Sequence, residues 1–217
     1  MVTTMGERRF TGLILDFAGV LTTNMVEVIE RFEAREKLPR GTFLRAWADP
    51  RGQELFRQLE LGAISQQAWN VGYAALMSEV LGAVVPPDDL MARYLHDLYP
   101  AYAVINVAKQ ARAAGVKTAV LSNSLGRSPY DPYASYDLPG VFDVVVFSEE
   151  LGLRKPDPAV FRHTCDLLGL SPGQCVFVDD TEVNLEAAGA LGMGIVFSLD
   201  ERVVASRLRV VLGLPDL

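Results

Sequence analysis

Cysteine is almost missing from this chain: Cys165 and Cys175 are the only two. Both lie in apolar segments, so they read as buried thiols in a reducing compartment, not as a disulfide framework, and a cytoplasmic location is expected. Histidine is equally scarce. His96 and His163 fall in predicted helices with no partner at metal-ligand spacing, which sets aside a histidine-built metal centre. Four lysines stand against sixteen arginines, and the net charge is -7. Nucleic acid needs a basic face and is not an expected partner, although local charge leaves room for a small anion. No run of about 18 apolar residues exists, so no spanning helix and no membrane partner are expected. The polar start, Met1 to Phe10, lacks the apolar segment of a secretory signal. Repeats and low-complexity stretches are absent too.

What remains is an ordinary globular composition. The 217 residues are 50% hydrophobic and 22% charged, enough for one large domain or a core carrying an insertion. The apolar run Leu13-Ile14-Leu15 ends in Asp16 and breaks into the small-residue turn Phe17-Ala18-Gly19. An acid there sits at the carboxyl end of a buried strand, where open α/β sheets hold their ligands. From residue 24 to about 100 the pattern is helical without a strand signal. One helix begins near Val26 and stops before Pro39. Trp47 and the segment from Arg51 to Leu61 form a second, closed by Gly62. Ser65 caps a third, with Trp69, Tyr73, Leu76, Met77 and Val80 at helical spacing. A fourth runs from Asp88 to Leu98. Trp47, Trp69 and Tyr73 are expected in the core of this block.

Beyond Tyr102 strands and helices alternate. Strands are predicted at Lys117–Ser122, Val141–Ser148, Gln174–Asp179 and Ile195–Phe197. Helices are predicted before Gly115, after Asp157-Pro158, over Val183–Leu191 and after Asp200. Such alternation implies a parallel sheet with helices on both faces.

Three polar signals follow these later strands. Ser122 and Asn123 close one; hydroxyl and backbone N–H groups there can bind phosphate oxygens, and ordinary turn chemistry also explains them. Lys155 sits in Leu153-Arg154-Lys155-Pro156-Asp157, a loop that can hold a cation in place. Arg154 is the weaker candidate, because adjacent residues seldom face one site. Asp179 and Asp180 stand together after Cys175-Val176-Phe177-Val178. Two neighbouring buried acids call for a compensating cation, and hard oxygen ligands suit Mg²⁺. Capping of the next helix is the simpler explanation of the same pair.

In order and in placement, Asp16, Ser122, Lys155 and Asp179-Asp180 resemble the four motifs of the haloacid dehalogenase superfamily, across most of the chain. The stretches from Val120 to Asn123 and from Leu151 to Ala187 look closest to sugar-phosphate phosphatases and epoxide-hydrolase-like phosphatase domains. The resemblance implies a Rossmann-like α/β core (residues 1–21 and 101–217) with an inserted helical cap (22–100). It implies a Mg²⁺-dependent phosphatase acting on a small phosphorylated metabolite, with Asp16 as nucleophile. Ser122, Asn123 and Lys155 would bind the phosphate. Asp16, the Ala18 carbonyl, Asp179 and Asp180 would surround the metal, with Asp180 the direct ligand, Asp179 helping it or pairing with Lys155, and Asn184 orienting Asp180.

One departure matters. The family's phosphatases usually carry a second Asp two residues after the nucleophile, and here that residue is Ala18. Several alternatives stay open. The leaving group is good enough without an acid, the cap supplies one, or catalysis is lost and the chain binds a phosphorylated ligand or a partner as a regulatory protein. A phosphonate hydrolase also carries alanine there, but needs a cap lysine, for which Lys37 is the only candidate. Haloacid dehalogenases lack the late acidic pair. A homodimer is a further open expectation.

Overall fold

The computed structural model describes residues 10–215. Apart from Phe10, the polar start lies outside them. Five parallel strands form one sheet: β1 (Gly12–Leu15), β2 (Lys117–Ser122), β3 (Val144–Phe147), β4 (Cys175–Asp179) and β5 (Gly194–Phe197). Their order is β3-β2-β1-β4-β5. Leu15 lies level with Val120 on one side and Val178 on the other. The next residue of β1, Asp16, therefore emerges level with the ends of β2 and β4. The chain steps outward from β1 on one side, then crosses back to β4 on the other. This is the switch point at which open sheets form a crevice.

The strands are buried on both faces, and alternate residues serve different layers. Leu13, Leu15, Val120 and Val178 pack against α6 (Tyr102–Ala113) and α11 (Glu201–Leu212). Ile14, Leu121 and Phe177 pack against α9 (Pro158–Leu168) and α10 (Glu182–Ala190). Cys165 and Cys175 belong to this second layer, buried and unbridged with sulfurs 3.9 Å apart. Two short helices complete this part, α7 (Leu138–Val141) and α8 (Ser148–Leu151).

Between β1 and α6 the chain builds α1 (Met25–Arg35), α2 (Thr42–Ala48), α3 (Pro50–Glu60), α4 (Gln66–Leu81) and α5 (Leu90–Tyr94). They enclose their own hydrophobic cluster, in which Trp69 stacks on Tyr73 at 4.8 Å and Phe43 on Tyr94 at 4.4 Å. The outgoing and returning strands of the chain pair with each other. Thr22 bridges Pro100, Thr23 N donates to Tyr99 O, and Ala101 N to Leu21 O. At the far side Gln66 clamps the 125–130 loop, donating to Leu125 O and Tyr130 O and accepting from Tyr130 N. The Ser148 hydroxyl donates to Glu60 O.

Several elements differ from expectation. The second helix is two, because Asp49 accepts from Arg51 N as a cap and Pro50 takes the first helical position. The fourth shrinks to Leu90–Tyr94, leaving His96 in a turn beside Asp97. Val141 ends a short helix, and the strand starts only at Val144. No helix of the described residues is long and apolar enough to cross a membrane.

Helix α2 begins at Gly41, which supplies no side-chain cap. Glu33 of α1 substitutes: its buried carboxylate accepts from Gly41 N and Phe43 N, each at 2.7 Å. Removing it orphans two donors at a helix start. Glu33→Ala is expected to lower stability by about 2–3 kcal/mol in urea unfolding. An unchanged unfolding midpoint would refute that account.

Candidate active site

Asp16 continues the β1 ladder, its N–H donating to Val178 O at 2.9 Å, and its Oδ1 accepts from Phe17 N at 2.7 Å. The turn beyond it is held from two sides. Gly19 N donates to the Thr22 hydroxyl and Gly19 O accepts from Ser198. Gly19 itself has a φ of +78°, and a Cβ there would lie 2.1 Å from Asp180 Oδ2. Only glycine lets the two loops approach so closely.

Lys155 reaches in from the loop between α8 and α9 and is 1% exposed. Its Nζ lies 2.6 Å from Asp16 Oδ1 and 2.8 Å from Asp179 Oδ2. Asn123 fixes its backbone at two points, accepting from Lys155 N at 2.9 Å and donating to Lys155 O at 3.1 Å. Asp179 is fully buried and saturated, accepting also from Thr181 N at 2.8 Å and from Asn184 Nδ2 at 3.1 Å. Asn184 thus orients Asp179, not Asp180. Asp180 accepts from the Thr181 hydroxyl at 3.2 Å.

Asp16, Asp179 and Asp180 each place a carboxylate oxygen within 4.8 Å of the others. Asp16 and Asp180 line a cavity of about 600 Å³ between the sheet edge and helices α1 to α5, together with Ala18, Asn123 and Lys155. Ser122 is not brought there. It is buried, and its hydroxyl pairs with the Tyr133 hydroxyl at 2.9 Å, beneath a ring that packs on Phe17.

Three acids face one lysine, so the cluster carries surplus negative charge. Burial pushes the Asp16 carboxyl up to about 8; Lys155 opposes the rise, and Asp179 and Asp180 add to it. Burial likewise pushes Asp180 up to about 6, reinforced by Asp179 and opposed by Lys155. The same acids hold the Lys155 ammonium protonated despite its burial. Hard oxygens, close spacing and uncompensated charge fit Mg²⁺, with Asp16 and Asp180 as the cavity-facing donors.

Sequence reasoning passed over three residues of this cavity. Arg154 and Lys155 do serve one place: Arg154 Nε pairs with Glu60 Oε2 at 2.5 Å on the cavity wall. Glu60 ends α3, and no chemical signal marked it. Trp47 lines the cavity half-exposed, whereas Trp69 and Tyr73 are core as expected. Lys37 is exposed just beyond the end of α1 and is not among the lining residues, so the imine route has no cap lysine there.

Acids gathered at the switch point of a parallel sheet, under a helical layer, mark this crevice as the site, and the family is given by similarity to known proteins. The haloacid dehalogenase-like hydrolase model matches residues 10–192, and the chain belongs to that family. It is 28% identical over 214 residues to mouse acyl-CoA dehydrogenase family member 10, covering 97% of this chain and 20% of that protein. Rat bifunctional epoxide hydrolase 2 is 26% identical over 214 residues, covering 91% of this chain and 38% of that one. Mouse N-acylneuraminate-9-phosphatase is 44% identical over 54 residues, 25% of this chain and 21% of that protein. The chain thus spans less than half the length of these relatives. Among solved structures, a predicted HAD-like family hydrolase from Porphyromonas gingivalis has a TM-score of 0.65 at 22% identity, covering 92% of this chain and 98% of that one. A HAD family enzyme from Bacteroides thetaiotaomicron, in complex with magnesium and inorganic phosphate, has a TM-score of 0.57 at 23% identity, covering 87% and 93%.

Raised acid values tie stability to pH. In metal-free protein burial holds the Asp16 and Asp180 carboxyls at about 8 and about 6, above the unfolded value of about 4, so the stability these two groups contribute is full below that value and is lost as pH rises toward 8. Thermal melting in a chelator is expected to drop between pH 6 and pH 8. Added Mg²⁺ should raise the melting temperature more at pH 8 than at pH 6, and an equal or reversed increment would contradict the charge-surplus account.

Proposed function

We propose that this chain is a Mg²⁺-dependent phosphatase working through a phospho-aspartate on Asp16. The observation that carries the reading is the buried Lys155 held between Asp16 and Asp179, with Asp180 beside them facing the cavity. Asp16 points its carboxylate into that cavity from a rigid strand end, as a nucleophile requires. An Asp16 oxygen bonds to phosphorus as the ester P–O bond breaks, and the departing alkoxide takes a proton from solvent to leave as the alcohol; water then attacks the phosphorus of the acyl phosphate, giving up its proton to solvent, so that inorganic phosphate leaves and the carboxylate is regenerated. Lys155 orients Asp16 and balances charge as the phosphate approaches. A bound Mg²⁺, held by Asp16, Asp180 and the Ala18 carbonyl, would offset the repulsion between carboxylate and phosphate. Asp179 positions Lys155, Asn123 positions the Lys155 backbone, and Ser122 supports the loop through Tyr133. Residues 22–100 act as a cap that shields the site and selects the substrate.

A dehalogenase reading has relatives in its favour, since a Pseudomonas (S)-2-haloacid dehalogenase 1 is 30% identical over 111 residues. The surplus of acid oxygens around the cavity favours metal-assisted phosphate chemistry instead. A panel of phosphate esters with and without Mg²⁺ tests this directly: turnover that needs the metal supports the phosphatase, and binding without turnover leaves a regulatory protein.

Two variants probe the chemistry. Asp16→Asn keeps the shape but is a far poorer nucleophile, so hydrolysis should fall at least 10³-fold; near wild-type rates would exclude the covalent route. Ala18 touches both the cavity and the hydrophobic core beneath it, so a longer side chain there has to turn toward the cavity to fit. Without an acid at that place, activated esters should turn over much faster than alkyl phosphates. Ala18→Asp should narrow the gap by roughly 10²-fold. No change in a folded, metal-binding variant would show that the reaction has its proton donor elsewhere.

A further inference from the structure

Much of the lining that the cap gives the cavity is apolar. Phe43 and Ile29 are its buried part, with the ring of Tyr94 beside them. Nearer the mouth, Val26 is 55% exposed, Leu44 44%, Trp47 47% and Val183 51%. Four large apolar side chains left in water around one opening make a contiguous patch, and such patches mark binding surfaces.

Most charged groups on the cavity lining face a partner of opposite sign. Arg154 and Glu60 form an ion pair, although neither Arg154 Nε nor Glu60 Oε2 completes a hydrogen bond. Arg57 holds Glu54 through two bonds of 2.7 and 2.6 Å. Asn123 and Asn184 are spent on Lys155 and Asp179. Gln53, the Tyr94 hydroxyl and the Trp47 indole N–H are the cap polar groups that the cavity keeps beside these pairs. A sugar phosphate seated here would set several of its hydroxyls against Phe43, Ile29 and Leu44, and each hydroxyl left unpaired there weakens binding. An alkyl or aryl body meets a matching wall, while its phosphate meets Lys155 and the acid cluster with its cation.

We infer that the substrate is a phosphate monoester with an extended apolar body, gripped by Trp47, Leu44 and Val26 at the mouth and Phe43 and Ile29 within. This rests on the phosphatase reading for the hydrolytic step, but the grip itself does not. The volume of about 600 Å³ exceeds what a phosphate group alone occupies and falls in the range of sites for small organic ligands.

The test uses n-alkyl phosphonates, which bind without being hydrolysed. Titration calorimetry of the full chain with Mg²⁺ should show affinity rising about fourfold per methylene from ethyl to octyl, the increment of apolar burial. Trp47→Ala and Leu44→Gln should each cut the octyl-to-ethyl affinity ratio about tenfold. Both residues are half-exposed, so these variants are expected to fold, and circular dichroism checks it. A flat chain-length series, or glucose 6-phosphate binding more tightly than octylphosphonate, overturns the inference. The two readings fail separately. A steep series without turnover of any ester keeps the apolar grip and removes the phosphatase. Rapid turnover of sugar phosphates with a flat series keeps the phosphatase and removes the grip.

Discussion

Taking Asp16, Asp179 and Lys155 out of water together costs several kcal/mol per ion unless their mutual contacts offset it. Here one ammonium answers two carboxylates at 2.6 and 2.8 Å, and a third acid stands close by. Neither arm of this arrangement is optional. Without Lys155 the acids repel; without the acids a buried ammonium is untenable. The surrounding sheet serves it. Parallel strands β1 and β4 deliver two acids to one level, and the Asn123 clamp delivers the lysine from the other side of β1. The acid oxygens left over after this pairing are hard donors of the kind a divalent cation takes, and they place fold stability and pH in the same cluster.

Much of this was legible in the sequence because strand ends are legible. Asp16 and Asp179 each follow a β-branched or aliphatic run, and a parallel sheet puts such ends on one edge. The Lys155 loop was legible because its neighbours, Pro156 and the Asp157-Pro158 cap, fix the chain locally. Side-chain direction was not legible. Ser122 turns toward Tyr133, a residue 11 positions on in a loop without periodicity. Asn184 chooses Asp179 over Asp180, a distinction of one residue that only the orientation of α10 decides. Arg154 and Lys155 reach the same cavity because the loop passes between Glu60 and the acids, a long-range fact. The helical block was readable as helices, but its break at Asp49-Pro50 required attention to capping over periodicity. That break sets the angle between α2 and α3 on which Trp47 and Glu60 both depend.

The relation of this chain to its family is a pattern kept with one element changed. The acid at the end of β1, the lysine and the late acidic pair match the motifs on which the resemblance rests, and Ala18 stands in the same turn where the family's phosphatases usually carry a carboxylate. On the phosphatase reading this change places chemical demand on the ligand rather than on the protein: the departing oxygen has to be one that leaves unaided, or that finds its proton in the cap.

The paired connecting strands have a mechanical meaning. Thr22 with Pro100, Thr23 with Tyr99 and Leu21 with Ala101 tie the outgoing and returning chain into a single narrow neck. A neck of two cross-linked strands bends more readily than it twists or shears. On the far side, the Gln66 grip on residues 125–130 and the Ser148–Glu60 bond act as a catch. The helical block is therefore mounted like a lid, held by the neck on one side and on the other by these bonds and the Arg154–Glu60 pair, and the 125–130 loop follows directly from Asn123, which holds Lys155. Releasing the catch and loosening the lysine are connected through a few residues of chain.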